Sequence, residues 1–86
     1  MHIAFSSNLN KKIKKTSTKI VDKFFERLEL FKKDKFNSIL NNHKLHGEYE
    51  GCNSINITGN IRAVFRYVKE DSVIFTDIGT HPELYG

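Results

Sequence analysis

The sequence contains one cysteine, one proline and no tryptophan. Cys52 alone cannot form an internal disulfide, and no cysteine–histidine spacing matches a zinc site. No apolar run approaches the roughly 20 residues that a membrane span needs. The opening MHIAFSSNLNKK is too short and too polar for a signal peptide. We therefore expect a cytoplasmic protein with no metal, no small-molecule cofactor and no membrane partner.

The length of 86 residues leaves room for one domain, 1–86, with one modest core. The net charge of +4 is unevenly distributed along this domain. Residues 1–45 contain eleven Lys or Arg against four Asp or Glu, whereas residues 46–86 contain three against six. The basic first half favours a polyanionic partner. Solvated lysines on exposed helix faces would account for the charge equally well.

Two helical patterns follow each other in the basic half. In SSNLNKKIKK, Leu9 and Ile13 are four residues apart and follow a possible N-cap at Ser6 or Ser7, which predicts a short basic helix. TST at 16–18 interrupts this pattern and can cap the next helix. The segment KIVDKFFERLELFKK then carries a helical stripe consisting of Ile20, Val21, Phe24, Phe25, Leu28 and Phe31. The stripe predicts a core-facing helix, and the two helices are expected to form a hairpin.

The second half changes to the alternating pattern of β-strands. CNSINIT, IRAVFRYV and SVIFTDIG predict three strands. GN at 59–60 is the signal of a two-residue hairpin turn, and KEDS is a polar turn. HIAF near the N-terminus predicts a further strand, at an edge or inside the sheet. An N-terminal strand, a helix pair and then an antiparallel meander indicate an α+β fold.

The polar residues that are not assigned to the core suggest a functional site. A meander can bring distant segments to one face of the sheet. The candidates are His43, His46, Asn56, Asn60, Arg62, Arg66, His81 and Tyr85. Imidazole exchanges protons near neutral pH, guanidinium binds phosphate bidentately, and a phenol stacks on a base. This set suits a phosphodiester, although each residue has an ordinary structural interpretation. The pattern indicates nucleic-acid binding and leaves catalysis open.

The chain closes with GTHPELYG, an unusual sequence for a terminus. Gly79 is predicted to let the chain bend sharply as it leaves the last strand. Leu84 is predicted to anchor a short final turn in the core. His81 and Tyr85 are four residues apart, so such a turn would hold both on one side, toward Arg62.

Three stretches taken together, HKLHGEYEG, SINITGNIRAVFRY and IGTHPELYG, resemble the RelE/YafQ group of toxins from bacterial type II toxin–antitoxin systems. The resemblance covers roughly residues 40–86 in order. It implies a small α+β fold with an N-terminal strand, a helix pair and an antiparallel sheet. It also implies an endoribonuclease that cuts mRNA in the ribosomal A site and that a cognate antitoxin holds inactive.

The resemblance assigns roles to four residues. His43 matches the histidine of HxLxG and His81 that of GTH, both implicated in catalysis in the YafQ-like branch. Arg62 falls on the catalytic arginine of the RelE-like branch, and Tyr85 on a functional aromatic residue. The implied reaction is a metal-free attack of a 2′-hydroxyl on the adjacent phosphate. His81 is the leading general acid, His43 a general base or phosphate contact, Arg62 a charge stabiliser, and Tyr85 stacks on or orients a base.

The sequence also departs from the family pattern. Asn56 and Asn60 stand where YafQ-like members often carry histidine and aspartate, and an amide cannot transfer a proton at neutral pH. The residues expected to bind RNA are Lys11, Lys12, Lys15, His46, Asn56, Asn60 and Arg66.

The expected partners are mRNA in the A site, ribosomal RNA against the basic helices, and an antitoxin whose acidic amphipathic segment covers the same surface or the sheet groove. Two alternatives stay open. One is a ParE-like inhibitor of DNA gyrase that cuts no RNA. The other is a degenerate toxin that binds antitoxin or RNA without cleavage.

Overall fold

The computed structural model describes residues 1–85 and has the α+β architecture predicted from the sequence. No helix among these residues is long and apolar enough to cross a membrane. The elements in chain order are β1 (His2–Phe5), α1 (Ser7–Lys15), α2 (Thr18–Lys33), β2 (His43–Lys44), a 3-10 turn (Gly47–Tyr49), β3 (Asn53–Asn56), β4 (Ile61–Lys69), β5 (Ser72–Thr80) and α3 (His81–Tyr85).

Serine caps start both long helices: Ser6, one of the two serines predicted for the first helix, and Ser17, within the TST segment predicted to cap the second. Ser6 Oγ accepts a hydrogen bond from the backbone N–H of Leu9 at 3.1 Å, at the start of α1. Ser17 Oγ accepts one from Ile20 at 3.5 Å, at the start of α2. Each cap satisfies a backbone donor that has no partner inside its own helix. The break between the helices therefore lies within the TST segment.

The five strands form one mixed sheet in the order β1-β5-β4-β3-β2. β1 is an edge strand that runs parallel to β5, and both helices and the other three strands lie between the two in the chain. β3, β4 and β5 form the predicted antiparallel meander. β2 pairs with β3 at the other edge. It was not predicted as a strand, because two residues are too few to show an alternating pattern.

The turn between β3 and β4 is longer than the two-residue turn predicted from GN. The backbone N–H of Ile57 donates to the carbonyl of Ile61 at 2.9 Å. Within the loop that this hydrogen bond closes, Thr58 Oγ1 accepts a hydrogen bond from the Ile61 N–H at 3.1 Å and donates one to Asn60 Oδ1 at 3.2 Å. Residues 58–60 thus form the loop, and a threonine side chain closes it.

The main core fills the space between the helices and one face of the sheet. Phe31 of α2 packs edge-on against Phe65 of β4, with ring centroids 5.1 Å apart, and against Phe75 of β5 at 5.7 Å. Phe24 is fully buried, as predicted from the helical stripe. The same prediction is wrong for Phe25, which is 45% exposed. One residue along a helix turns by roughly 100°, which carries this ring past the core-facing side.

A second, smaller cluster lies on the other face of the sheet. Its buried members are Leu45, Val64 and Leu84, and the rings of Tyr49 and Tyr85 pack against them. Val64 lies between two β4 residues of the main core, so its side chain points to the opposite face. The prediction that Leu84 anchors the final turn is confirmed. This cluster holds α3 and the loop after β2 against the sheet.

Gly79 has a different role from the predicted one. It lies inside β5, where its Cα is paired with that of Arg62, and the strand continues to Thr80. The predicted sharp bend at this glycine is therefore wrong. A Cβ placed on Gly79 would lie 3.2 Å from Glu83 Oε1 and 3.6 Å from Leu84 Cδ2. The missing side chain lets α3 approach the strand closely.

Candidate functional site

A cleft of about 560 Å³ opens on the sheet face that carries the smaller cluster. It brings together the four residues predicted to be catalytic, His43, Arg62, His81 and Tyr85. These residues come from β2, β4 and α3, and the strand pairing explains why they meet. β3 links β2 to β4, and Arg62 on β4 pairs with Gly79 of β5, two residues before His81. His46 also lines the cleft.

α3 orients two of these side chains. The backbone N–H of Thr80 donates to Glu83 Oε1 at 2.7 Å, and the N–H of Glu83 donates to Thr80 Oγ1 at 3.3 Å. This reciprocal pair is a capping box, and its sequence signature, Thr-x-x-Glu, is visible in GTHPELYG. The hydrogen bonds from Thr80 lower the pKa of the Glu83 carboxyl. The capping box starts α3, and within this helix the ring centroids of His81 and Tyr85 lie 4.6 Å apart, with the ring planes inclined by 72°.

Tyr85 is held by packing on two sides. Its ring meets His81 on one side and the ring of Tyr49 on the other, at 5.5 Å and nearly perpendicular. The Tyr85 hydroxyl is buried and has no hydrogen-bond partner within residues 1–85. Burial, followed by the negative charge of Asp77, raises the pKa of the Tyr49 phenol. The packing fixes the plane of Tyr85 at the wall of the cleft.

His43 is oriented by its own loop. Its Nδ1 lies 2.7 Å from the backbone carbonyl oxygen of Asn41. Because a carbonyl only accepts, this contact assigns the proton of the neutral imidazole to Nδ1. Nε2 is then the basic nitrogen, and it lies 3.4 Å from the hydroxyl of the buried Ser54. Asn41 has φ 46°, a left-handed conformation that asparagine tolerates better than most residues.

Arg62 is oriented by the β3–β4 loop. Its Nη1 donates to the carbonyl oxygens of Thr58 at 3.2 Å, Gly59 at 3.3 Å and Ile61 at 3.3 Å. Within residues 1–85, Nε and Nη2 make no hydrogen bond to the protein. The loop therefore fixes one edge of the guanidinium and leaves donors for an anion in the cleft.

Most of the predicted RNA-binding residues lie outside this cleft. Arg66 is exposed on β4, four residues beyond Arg62 and roughly 13 Å along the strand. Asn60 lies in the loop and accepts from Thr58. Asn56 pairs with Arg62 across the strands, yet its Oδ1 is buried without a hydrogen-bond partner among the described residues.

The lysines of α1 have different environments. Lys12 forms an ion pair with Asp77 of β5, whereas Lys11 and Lys15 are exposed. All three belong to the helix, and none lines the cleft that contains the histidines. His46 does line this cleft and lies 3.8 Å from the carboxylate of Glu50.

The cleft also contains residues that the sequence reasoning missed. Glu48 adds a carboxylate where few were expected, and Asn41, Tyr49 and Ser54 complete the wall. Gly47, with φ 67°, turns the chain so that the 3-10 turn faces the cleft. Glu48 and Tyr49 come directly after HxLxG and before the first long strand. This position in the sequence was the feature that could have indicated that they line the cleft. Residues 1–85 contain no group of three His, Cys, Asp or Glu side chains that could hold a metal ion.

Comparison with known proteins identifies the family. Residues 1–86 match the family described as "Bacterial toxin of type II toxin-antitoxin system, YafQ". The chain belongs to the YafQ toxin family. It is thus a toxin of a type II toxin–antitoxin system, and the resemblance found in the second half extends over the whole sequence. No curated protein matches the sequence closely enough to count as a relative.

Solved structures of similar toxins share the fold of this YafQ-family protein. YafQ from E. coli strain BL21(DE3) is 16% identical, with a TM-score of 0.81 over 98% of this chain and 97% of that chain. The YoeB/ParE toxin from Agrobacterium tumefaciens is 19% identical, with a TM-score of 0.76 over 94% and 99%. The E. coli DinJ-YafQ complex gives 17% identity and a TM-score of 0.75 over 98% and 97%. At such identities the likeness shows the fold.

Proposed function

We propose that this YafQ-family toxin is an endoribonuclease that cuts mRNA in the ribosomal A site. The observation that supports this most strongly is the single cleft that combines His43, Arg62, His81 and Tyr85. In cleavage of a phosphodiester by its own 2′-hydroxyl, two imidazoles can transfer the protons and a guanidinium can stabilise the developing charge. A phenol ring can hold a base. These four side chains lie on three separate elements, and each is oriented by neighbouring groups.

The proposed reaction needs only groups of the protein. His43 Nε2 accepts the proton of the 2′-hydroxyl as that oxygen forms a bond to the adjacent phosphorus. The bond from phosphorus to the 5′-oxygen breaks, and the protonated imidazole of His81 gives its proton to that oxygen. Arg62 donates hydrogen bonds to the phosphate oxygens, where negative charge accumulates. The products are a 2′,3′-cyclic phosphate and a 5′-hydroxyl, and Tyr85 holds a neighbouring base.

Two features favour this assignment of the histidines. In the neutral form of His43, the contact with the Asn41 carbonyl places the proton on Nδ1 and leaves Nε2 as the basic nitrogen. His81 stands at the first position of α3, beside the exposed rim of the cleft, where a leaving group can depart. The proposed cleavage therefore has its base on β2 and its acid on α3, with Arg62 on β4.

The partners follow from charge and from the structural relatives. The exposed lysines of α1, among them Lys11 and Lys15, form a basic surface suited to ribosomal RNA, and such docking weakens with salt. Structures of similar toxins have been solved in complexes. Examples are the E. coli DinJ-YafQ complex and the YoeB-YefM complex from Staphylococcus aureus. We propose that a cognate antitoxin inhibits this chain through an acidic segment that covers the basic surface or the cleft.

The test is cleavage of mRNA on translating ribosomes, with the cut mapped by primer extension and the new ends identified chemically. The intact toxin is expected to produce 5′-hydroxyl ends. His81→Ala is expected to lower the cleavage rate by roughly 10²-fold or more. His2→Ala is the matched control, because His2 is an exposed histidine on β1 at the far edge of the sheet.

Three results would contradict parts of this proposal. Full toxicity of both His81→Ala and Arg62→Ala would mean that the cleft is not the active site. DNA damage without mRNA cleavage would indicate a gyrase inhibitor. A chain that neither cuts mRNA nor slows growth would be a degenerate toxin.

A further inference from the structure

A second cleft, of about 670 Å³, adjoins the first. The two clefts share His43, Leu45 and His46 as a common wall. Beyond this wall, the second cleft is lined by the aromatic rings of Phe36 and Tyr67. Neither ring has a role in the proposed reaction.

The two rings form an exposed aromatic surface with a cation on it. Phe36 is 68% exposed and Tyr67 is 37% exposed. Lys35 Nζ lies 5.6 Å from the ring centroid of Phe36 and 5.0 Å from that of Tyr67. Both rings line the same cleft, and apolar surface left exposed in a groove is a feature of ligand-binding sites. Rings combined with a cation suit a partner that has both a flat π-system and a negative charge.

Polar groups of the cleft are also fixed in place. Asn53 Nδ2 donates to Asn42 Oδ1 at 3.1 Å, and Asn42 Nδ2 donates to the carbonyl oxygen of Lys35 at 3.1 Å. Within residues 1–85, Asn53 Oδ1 accepts no hydrogen bond, so it is available to the N–H edge of a base. Lys44 at the rim adds a second cation against the single carboxylate of Glu50.

We propose that the second cleft is a subsite for the base of a nucleotide next to the scissile phosphate. The base stacks on Phe36 and Tyr67, and the backbone crosses the wall formed by residues 43–46. Continuity with the first cleft and the two lysines favour RNA over an apolar protein segment. This inference rests on the proposed RNA substrate and adds to it a site for a neighbouring base.

The test uses an RNA that cannot be cut, a tetra-adenylate with 2′-O-methyl groups, bound to the full chain and followed by fluorescence anisotropy. Phe36→Ala is expected to weaken binding by at least about fivefold, the size of one lost base–aromatic stack. Tyr67→Leu is expected to weaken it in the same direction. Phe25→Leu is the control, because Phe25 is an exposed ring on α2 outside both clefts and binding should stay unchanged.

An abasic position at one end of the oligonucleotide sharpens the test, because it removes a base and keeps the phosphates. At one of the two ends, the abasic position is expected to weaken binding to the unmodified protein about as much as Phe36→Ala does. With that oligonucleotide, Phe36→Ala should cause no further loss. The end at which this happens shows on which side of the scissile phosphate the subsite lies.

Chemical-shift mapping of the amides separates the failure of this inference from the failure of the proposed function. Shifts at Arg62 and His81 without shifts at Phe36 and Tyr67 overturn the subsite and leave the nuclease proposal standing. No shift in either cleft overturns the subsite, and the cleavage assay on translating ribosomes then decides the proposed function separately. If Phe36 and Tyr67 respond only in the purified complex with the antitoxin, the second cleft is a protein-docking surface, and the subsite is overturned.

Discussion

The two faces of the sheet are built for different purposes. The face toward the helices is a continuous core of phenylalanine and aliphatic side chains, with Phe24, Phe31 and Phe75 fully buried. The opposite face has only a small cluster around Val64, and much of its remaining surface is polar and open to the cleft. One face therefore supplies most of the folding free energy, and the other carries the side chains of the candidate site on a scaffold that is already stable.

This comparison predicts that a change in the main core affects stability most. Phe31→Ala removes a fully buried ring that packs against Phe65 and Phe75. The expected loss in the free energy of unfolding is roughly 3–5 kcal/mol, a large part of the total for a small domain. Urea denaturation followed by circular dichroism measures it. A loss under about 1 kcal/mol would mean that the core is less continuous than the structure indicates.

A change on the open face should separate activity from stability. Arg62→Ala is expected to lower mRNA cleavage by roughly 10²–10³-fold, because in the proposed reaction the guanidinium stabilises charge that develops in the transition state. Its effect on unfolding should stay within about 1 kcal/mol, since the side chain bonds only to backbone carbonyls of residues 58–61. Arg66→Ala is the matched comparison on the same strand outside the cleft. A loss of about tenfold or less is expected there, mainly in salt-dependent binding.

Leu84→Ala is expected to affect both stability and activity, because Leu84 is buried on the open face and anchors α3. The expected cost is roughly 2–3 kcal/mol, below that of a main-core ring because the cluster is small. Cleavage should fall as well, since His81 and Tyr85 lie on the same helix. Measuring both quantities at a temperature where the variant stays folded distinguishes a displaced helix from a partly unfolded chain. Unchanged cleavage would show that α3 does not position the acid.

Much of the helix-facing half of the molecule could be predicted from the sequence. The stripe containing Phe24, Leu28 and Phe31 and the serine caps at 6 and 17 are local patterns, and local patterns depend on nearby residues. The prediction fails at Phe25, where the pattern gives the period of the helix but does not fix the width of its buried side.

The open face was harder to predict, because its geometry depends on pairing between distant segments. The grouping of His43, Arg62 and His81 followed from their chemistry and from the family resemblance, whereas the contacts that orient them did not. The carbonyl of Asn41 contacts His43 at a point where the chain turns through a left-handed residue, Asn41 itself. β2 likewise could not be predicted from periodicity, because it has only two residues and its register is set by pairing with β3.

The smallest expected effect concerns the capping box that starts α3, and it depends on pH. Hydrogen bonds from Thr80 hold the pKa of Glu83 below its ordinary value of 4.5. A carboxyl whose pKa is lower in the folded state contributes stability above its unfolded pKa and loses it as the pH falls through the folded pKa. Glu83→Gln keeps a capping side chain that does not titrate. Above pH 5, the unmodified protein should therefore protect the amides of α3 from hydrogen exchange more strongly than the variant does. Below about pH 4, that advantage should shrink. A difference that stays constant from pH 7 to pH 3 would show that the Glu83 charge does not hold α3 against the sheet.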